Sequence, residues 1–195
     1  MSYVLILYYS RYGATEKMAK EIAKGVLSQN IEARIRTVPP VGPSTDQLIP
    51  AIPSDGAIYV SKEDVKGCSG IIMGSPTRFG NMAAPLKYFL DTLGDLWFAG
   101  SLVNKPAGVF TSASSMHGGQ ESTLITMMLP LLHHGAVIAG IPYTETILTQ
   151  TTSGGTPYGA SHLAGPESQL GLSKDEITLC FKQGERVAML AKKLQ

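Results

Sequence analysis

Most of the features that would settle the chemistry of a chain by themselves are scarce here. Cysteine is reduced to two residues, Cys68 and Cys180, far apart and outside any C-x-x-C spacing. Neither a disulfide framework nor a thiol-redox motif is expected, and both read as buried, reduced thiols. No apolar run approaches the ~18 residues of a membrane span. The first such run, Tyr3–Tyr9, has no basic flank or small-residue cleavage site and leads straight into a turn, so the chain reads as soluble and cytoplasmic. Charge of either sign is nearly balanced at a net +1. That is too little for an electrostatically driven nucleic-acid binder, and it lacks the acidity that steers small electron carriers onto basic partners.

Catalytic signatures are missing too. There is no Walker A loop, no G-x-G-x-x-G fingerprint and no G-x-S-x-G elbow, and no Asp stands at the end of the first or third expected strand. This argues against a P-loop NTPase, a serine hydrolase and a phosphoaspartate receiver. His133-His134 invites a metal reading, but adjacent helical residues point about 100° apart. No carboxylate or cysteine lies nearby in sequence, so no metal is expected.

What remains is a chain of 195 residues with 44% apolar content, the size and make-up of one globular domain spanning residues 1–195. Tyr3–Tyr9 is apolar without alternation, which suits a strand buried on both faces. After Ser10–Gly13 the period changes, and Met18, Ala19, Ile22, Ala23, Val26 and Leu27 mark one stripe of a helix. Ile31, Ala33 and Ile35 alternate with charged residues, as on a half-exposed edge strand. Pro39 to Asp55 reads as a loop. Further strands are expected at Gly70–Gly74, Pro106–Thr111 and Ala136–Gly140, and helices around Lys62–Lys66, Ala84–Leu93 and Glu121–His134.

The helix at Glu121–His134 is apolar nearly all round, so burial on two sides, between subunits, is expected, with a kink or break at Pro130. Ile141–Leu172 is a long Gly/Thr/Ser-rich stretch of the kind that carries function or packs against a partner. Ser173 and Glu176 form a capping box for the last helix. Five strands alternating with helices predict an α/β fold, a doubly wound five-stranded parallel sheet with helices on both faces.

Ligands of such sheets bind beyond the carboxyl ends of the strands, at the switch in strand order. Three loops fall there. Ser10-Arg11-Tyr12-Gly13-Ala14-Thr15 combines hydroxyls with a helix N-terminus and can cradle a phosphate; equally, Ser10 and Thr15 can simply cap the helix. Pro76-Thr77-Arg78-Phe79-Gly80 sets an aromatic, a guanidinium and free N–H groups on a stiff turn, as a planar ligand with polar edges needs. Ser112-Ala113-Ser114-Ser115-Met116-His117-Gly118 is dense in hydroxyls and can clamp a second polar stretch of the same ligand. A phosphate and a ring held without lysine describe FMN. The lone Trp97, in the connection Gly94–Leu102, is either core or a stacking surface for substrate.

These segments, with His117-Gly118-Gly119-Gln120-Glu121, His133-His134-Gly135 and Gly154-Gly155-Thr156-Pro157-Tyr158-Gly159-Ala160, resemble the WrbA-type NAD(P)H:quinone oxidoreductases along nearly the whole chain. The resemblance implies a flavodoxin-like fold, one FMN per subunit, NADH or NADPH as donor, a quinone as acceptor and a homotetramer. It assigns Ser10–Thr15 to the FMN phosphate, Pro76–Gly80 to the isoalloxazine ring and Ser112–Gly118 to the ring's pyrimidine edge. It places His133 near the flavin, Tyr12 at the nicotinamide cofactor and Trp97 in the substrate pocket, with a neighbouring subunit completing that pocket. His133 is then the candidate proton donor to the quinol oxygen, in a ping-pong, two-electron reaction. Two other readings stay open: a flavodoxin-type one-electron carrier, and a non-catalytic regulatory binding protein.

Overall fold

A computed structural model describes residues 2–42, 53 and 55–194. Most of the Pro39–Asp55 loop expected from the sequence therefore lies outside the described residues. The sheet is built from β1 (Tyr3–Tyr8), β2 (Glu32–Thr37), β3 (Gly70–Pro76), β4 (Pro106–Ala113), β5 (Val137–Ile138) and β6 (Ser161–Leu163). Every pairing is parallel, in the order β2-β1-β3-β4-β5, with β6 also on β4. The connecting helices are α1 (Ala14–Leu27), α2 (Lys62–Gly67), α3 (Ala84–Asp91), α4 (Gly94–Phe98), α5 (Gln120–His133) and α6 (Lys174–Lys193).

The lack of alternation in β1 has the expected cause. Tyr3, Leu5 and Leu7 join Ile71, Met73, Val109 and residues of α2–α5 in one core layer. Val4, Ile6 and Tyr8 join Ile72, Phe110, α1 and α6 in the other. Both faces are covered, so both sets of side chains are apolar. β2 is the half-exposed edge. α1 and α6 press together at Gly25 and Gly184, where an added Cβ would run into the backbone of Phe181 and of Ile22 respectively. The capping box of α6 is formed as predicted, Ser173 Oγ accepting from the Glu176 N–H. Cys68 and Cys180 are buried and free.

The outer edge of β4 differs from the expectation of a single fifth strand. β5 is two residues long and pairs with Pro106 and Ala107, whereas β6, inside the stretch read as loop, pairs with Thr111–Ala113. The gap between them is bridged by a side chain. Buried Gln183 of α6 donates from Nε2 to the Val109 carbonyl at 2.7 Å and accepts from the Ala160 N–H at 2.9 Å. Gly140, Gly154 and Gly159 let the chain return here, since a Cβ on each would collide with the backbone of Pro157, Ser161 and Val109. The G-G-T-P-Y-G-A segment thus serves the sheet edge and does not line the ligand cleft described below.

Three further differences have local causes. The connection after Gly94 is helical, so Trp97 stands on α4 and not in a loop. α5 runs unbroken through Pro130 to His133, although the ring removes the bond to the carbonyl four residues back and crowds it. Within one chain, α5 buries Leu124, Met127 and Leu131 but leaves Ile125, Leu129 and Leu132 about half exposed. Among the described residues, no helix is long and apolar enough to cross a membrane.

Candidate active site

The chain leaves β1 in both directions across the sheet, so the order switches between β1 and β3, where the loops after β1, β3 and β4 converge. They enclose a cleft of about 290 Å³ lined by Ser10, Arg11, Tyr12, Ala14 and Thr15, by Pro76, Thr77 and Arg78, and by Ser112, Ala113 and Ser114. All three sequence-predicted loops therefore meet at one place.

In the first loop the side-chain cap does not form. The residue that opens α1 is Gly13, at φ 84°, and no side chain caps the helix. Thr15 turns its hydroxyl to Ser112 Oγ at 3.1 Å. Ser10 Oγ is buried with no hydrogen-bond partner among the described residues. A buried hydroxyl left unpaired is costly. Beside an uncapped helix N-terminus it forms a donor set for an anion, with the dipole adding attraction.

The second loop is rigid. Thr77 N–H donates to the Ser112 carbonyl, and Arg78 and Asn81 exchange backbone hydrogen bonds at 2.7 and 3.0 Å. The two residues between them, Phe79 and Gly80, both have positive φ, 53° and 77°, as in the tightest hairpin turns. Gly80 takes this without strain, whereas a bulky side chain does not. Phe79 is nevertheless held there and is fully exposed. Behind the loop, Ser75 Oγ accepts from Ala83 N–H, Thr111 Oγ1 donates to the Ser75 carbonyl, and Thr77 meets Thr123 at 2.7 Å.

The third loop begins later than its sequence suggests. Ser112 and Ala113 are the buried end of β4, not loop residues. Ser114 lines the cleft, while Ser115, Met116 and His117 are exposed and Gly118 is half-buried, none of the four among the lining residues. Gly119, at φ 94°, opens α5 without a side-chain cap. A fourth wall went unread: Ala164, Pro166 and Ser168, just after β6, also line the cleft. Strand β6 is three residues long and gives no periodic signal; the turn residues in Gly165-Pro166 were the only hint.

Trp97 and His133 stand elsewhere. They lie together in a separate groove of about 380 Å³ between α3, α4 and α5. Trp97 Nε1 donates to the His133 carbonyl at 2.7 Å. His134, in the same groove, has a buried Nδ1 without a partner among the described residues. Burial and the neighbouring His133 push its pKa down. Neither Trp97 nor His133 lines the cleft of a single chain; Tyr12 does.

The comparisons with known proteins fit this geometry. Residues 4–143 match the family described as NADPH-dependent FMN reductase. The chain belongs to that family. A NAD(P)H dehydrogenase (quinone) of Geobacter sulfurreducens is 42% identical over 200 residues, covering 98% of each chain. Among solved structures, a WrbA-like flavodoxin from Agrobacterium tumefaciens superposes with a TM-score of 0.69 at 22% identity over all of both chains. An archaeal flavodoxin does so at 0.65 and 19%, over 98% of this chain and 99% of its own. The fold is flavodoxin-like, and the family's FMN fits the cleft by chemistry: hydroxyls and a helix N-terminus for a phosphate, a stiff loop for a ring.

Proposed function

We propose that this chain, as a single cofactor-binding domain, holds FMN in the cleft and transfers electron pairs from NAD(P)H to quinones. The observation that carries this reading is the buried, unpaired Ser10 hydroxyl beside the uncapped start of α1, a phosphate site with no phosphate chemistry of its own. Bound there, FMN would supply the hydride-accepting and electron-releasing chemistry. The 42% identity to a NAD(P)H dehydrogenase (quinone) along the whole chain supports the same activity.

In this reading Ser10, Thr15 and the first N–H groups of α1 bind the phosphate. Pro76, Thr77, Arg78 and Gly80 border the ring, Phe79 shields it from water, and Ser112–Ser114 face its polar edge. Tyr12 contacts the nicotinamide donor. One open cleft serving both donor and acceptor implies that the donor leaves first, a ping-pong order. Trp97 and His133 reach substrate only if a neighbouring subunit brings its groove to the cleft. The half-exposed Ile125, Leu129 and Leu132 on α5 supply an apolar face for that contact, consistent with a cytoplasmic homotetramer. His133 would then donate the proton to the quinol oxygen.

The test is an anaerobic titration of the FMN-loaded protein with NADH and NADPH, followed by flavin absorbance. Bleaching in a single two-electron stage supports the reductase. Indifference to both donors, with reduction in separate one-electron stages by dithionite, would replace it with an electron carrier. Sedimentation at micromolar concentration tests the tetramer, which a monomer with FMN bound would overturn.

A further inference from the structure

Glu176 stands out as a buried charge that the cleft does not use. In a capping box the acidic residue returns one hydrogen bond to the cap. Here the carboxylate is 1% exposed and gathers four donors from three segments. Oε1 accepts from the Gly154 N–H at 2.8 Å and the Leu163 N–H at 2.9 Å. Oε2 accepts from the Ser173 N–H at 2.8 Å and lies 2.8 Å from His162 Nδ1. His162 is equally buried. Burial alone would push this carboxyl up, but the His162 ring and the Leu163 and Ser173 N–H groups hold it down at about 2. It is an anion with every approach occupied.

The position of that anion connects it to the cleft. β6 has only three paired residues, and its far side leans on Glu176 through His162 and Leu163. Directly after β6, Ala164 N–H bonds the Ala113 carbonyl at 2.8 Å, and Leu170 N–H closes the turn on the Ala164 carbonyl at 2.9 Å. Within that turn Ser168 is held at φ 55°, a conformation a non-glycine keeps only when its surroundings impose it. Ala164, Pro166 and Ser168 are the wall of the cleft that no other element supplies.

We propose that Glu176 is a positioning residue for cofactor binding: by clamping Gly154, His162 and Leu163 it fixes β6, and through β6 the Ala164–Ser168 wall of the FMN cleft. The proposal rests on the flavin reading above. Glu176 touches no cleft atom itself and acts only through this wall, which makes the wall the part of the site set by the carboxyl-terminal helix.

The experiment uses the full chain with Glu176→Gln, which keeps one carbonyl acceptor but turns an N–H₂ toward Ser173 N–H and His162. FMN affinity is measured by flavin fluorescence quenching, and amide hydrogen exchange is followed in the apoprotein. The expected result is an FMN Kd raised about tenfold or more, the size of one buried donor left unpaired. Exchange should quicken at Gly154 and from Leu163 to Leu170 but not in β1 or β3, and turnover at saturating FMN should change less than affinity. His162→Gln, which spares all three backbone donors, should show the same pattern at smaller size, and it replaces Glu176→Gln if that variant does not fold. An FMN Kd within about twofold of the unaltered protein, despite faster exchange at Leu163, would reduce the clamp to a purely structural feature and overturn the proposal. Failure of the unaltered protein to bind FMN would instead overturn the flavin reading itself, together with this proposal.

Discussion

Two regions of this molecule treat buried polar groups in opposite ways. Along the outer edge of β4 the donors and acceptors find partners: Gln183 bridges the gap between β5 and β6, and Glu176 collects four hydrogen bonds. At the ends of β1 and α5 the reverse holds. Ser10 Oγ and His134 Nδ1 are buried without partners among the described residues, and α1 and α5 both open on uncapped glycines. Since an unpaired buried polar group costs free energy, the first pattern builds a scaffold and the second is tolerable only where something else completes it. In the cleft that something is a ligand. In the groove of Trp97 and His133 the complement proposed above is another subunit.

The strongest way to break the satisfied region is to remove Gln183. In a Gln183→Leu variant the Val109 carbonyl and the Ala160 N–H lose their common partner in a site that excludes water. A loss of about 3 kcal/mol is expected from two stranded groups, read from urea unfolding. An unchanged midpoint would mean that the edge rearranges to pair them. Acid attacks the same region through Glu176. Its carboxyl ionises at about 2 in the folded chain against 4.5 for the unperturbed group. A depressed folded value stabilises above the unfolded one, so the contribution is full at neutral pH and is lost as pH falls from about 4.5 towards 2. About 3 kcal/mol is at stake. Asp64 acts in the same direction, because the Ser61 N–H and hydroxyl and the Arg36 guanidinium hold its carboxyl down against burial. Unfolding free energies at pH 7 and pH 3 should converge markedly in Glu176→Gln; an equal acid loss in both proteins would assign the effect to other carboxylates.

The same contrast explains what was legible in the sequence. Tyr3–Tyr8, the α1 stripe and the Ser173–Glu176 box are local patterns, and each element stands where its pattern puts it. The three cleft loops were legible because strand order places them and hydroxyls and glycines mark them. The split of the fifth strand was not legible, because β5 and β6 together carry five residues, too few for periodicity. Gln183 is buried on α6 beside Leu179, Cys180 and Val187, and a polar residue there has no evident reason until the gap it fills is seen. The wall at Ala164–Ser168 was missed for the same reason: its place depends on long-range contacts with Ala113 and Glu176. His133 was assigned by resemblance alone, Trp97 by resemblance after its residue type had left core and stacking surface open, and within one chain they come together with each other, away from the cleft.

In the unsatisfied region, changes should cost function and spare stability. Ser10→Ala removes a hydroxyl that bonds to nothing among the described residues. The unfolding free energy should stay the same or rise by about 1 kcal/mol, while FMN affinity falls about tenfold. Loss of stability without loss of affinity would show that the hydroxyl has a structural partner after all.

Phe79 sharpens the comparison at its smallest scale. Its side chain buries nothing within the chain, yet its backbone holds a φ of 53°. Glycine at this position relieves strain of about 1 kcal/mol or more but gives back part of that through the greater freedom of the unfolded chain. Phe79→Gly should therefore leave folding unchanged or improve it by up to about 1 kcal/mol. If NAD(P)H oxidation by the FMN-loaded variant falls while stability holds, a strained aromatic is being kept in the turn for the site alone. If activity is untouched, the strain has no counterpart in function, and the turn is set only by the Arg78–Asn81 pairing and by Gly80.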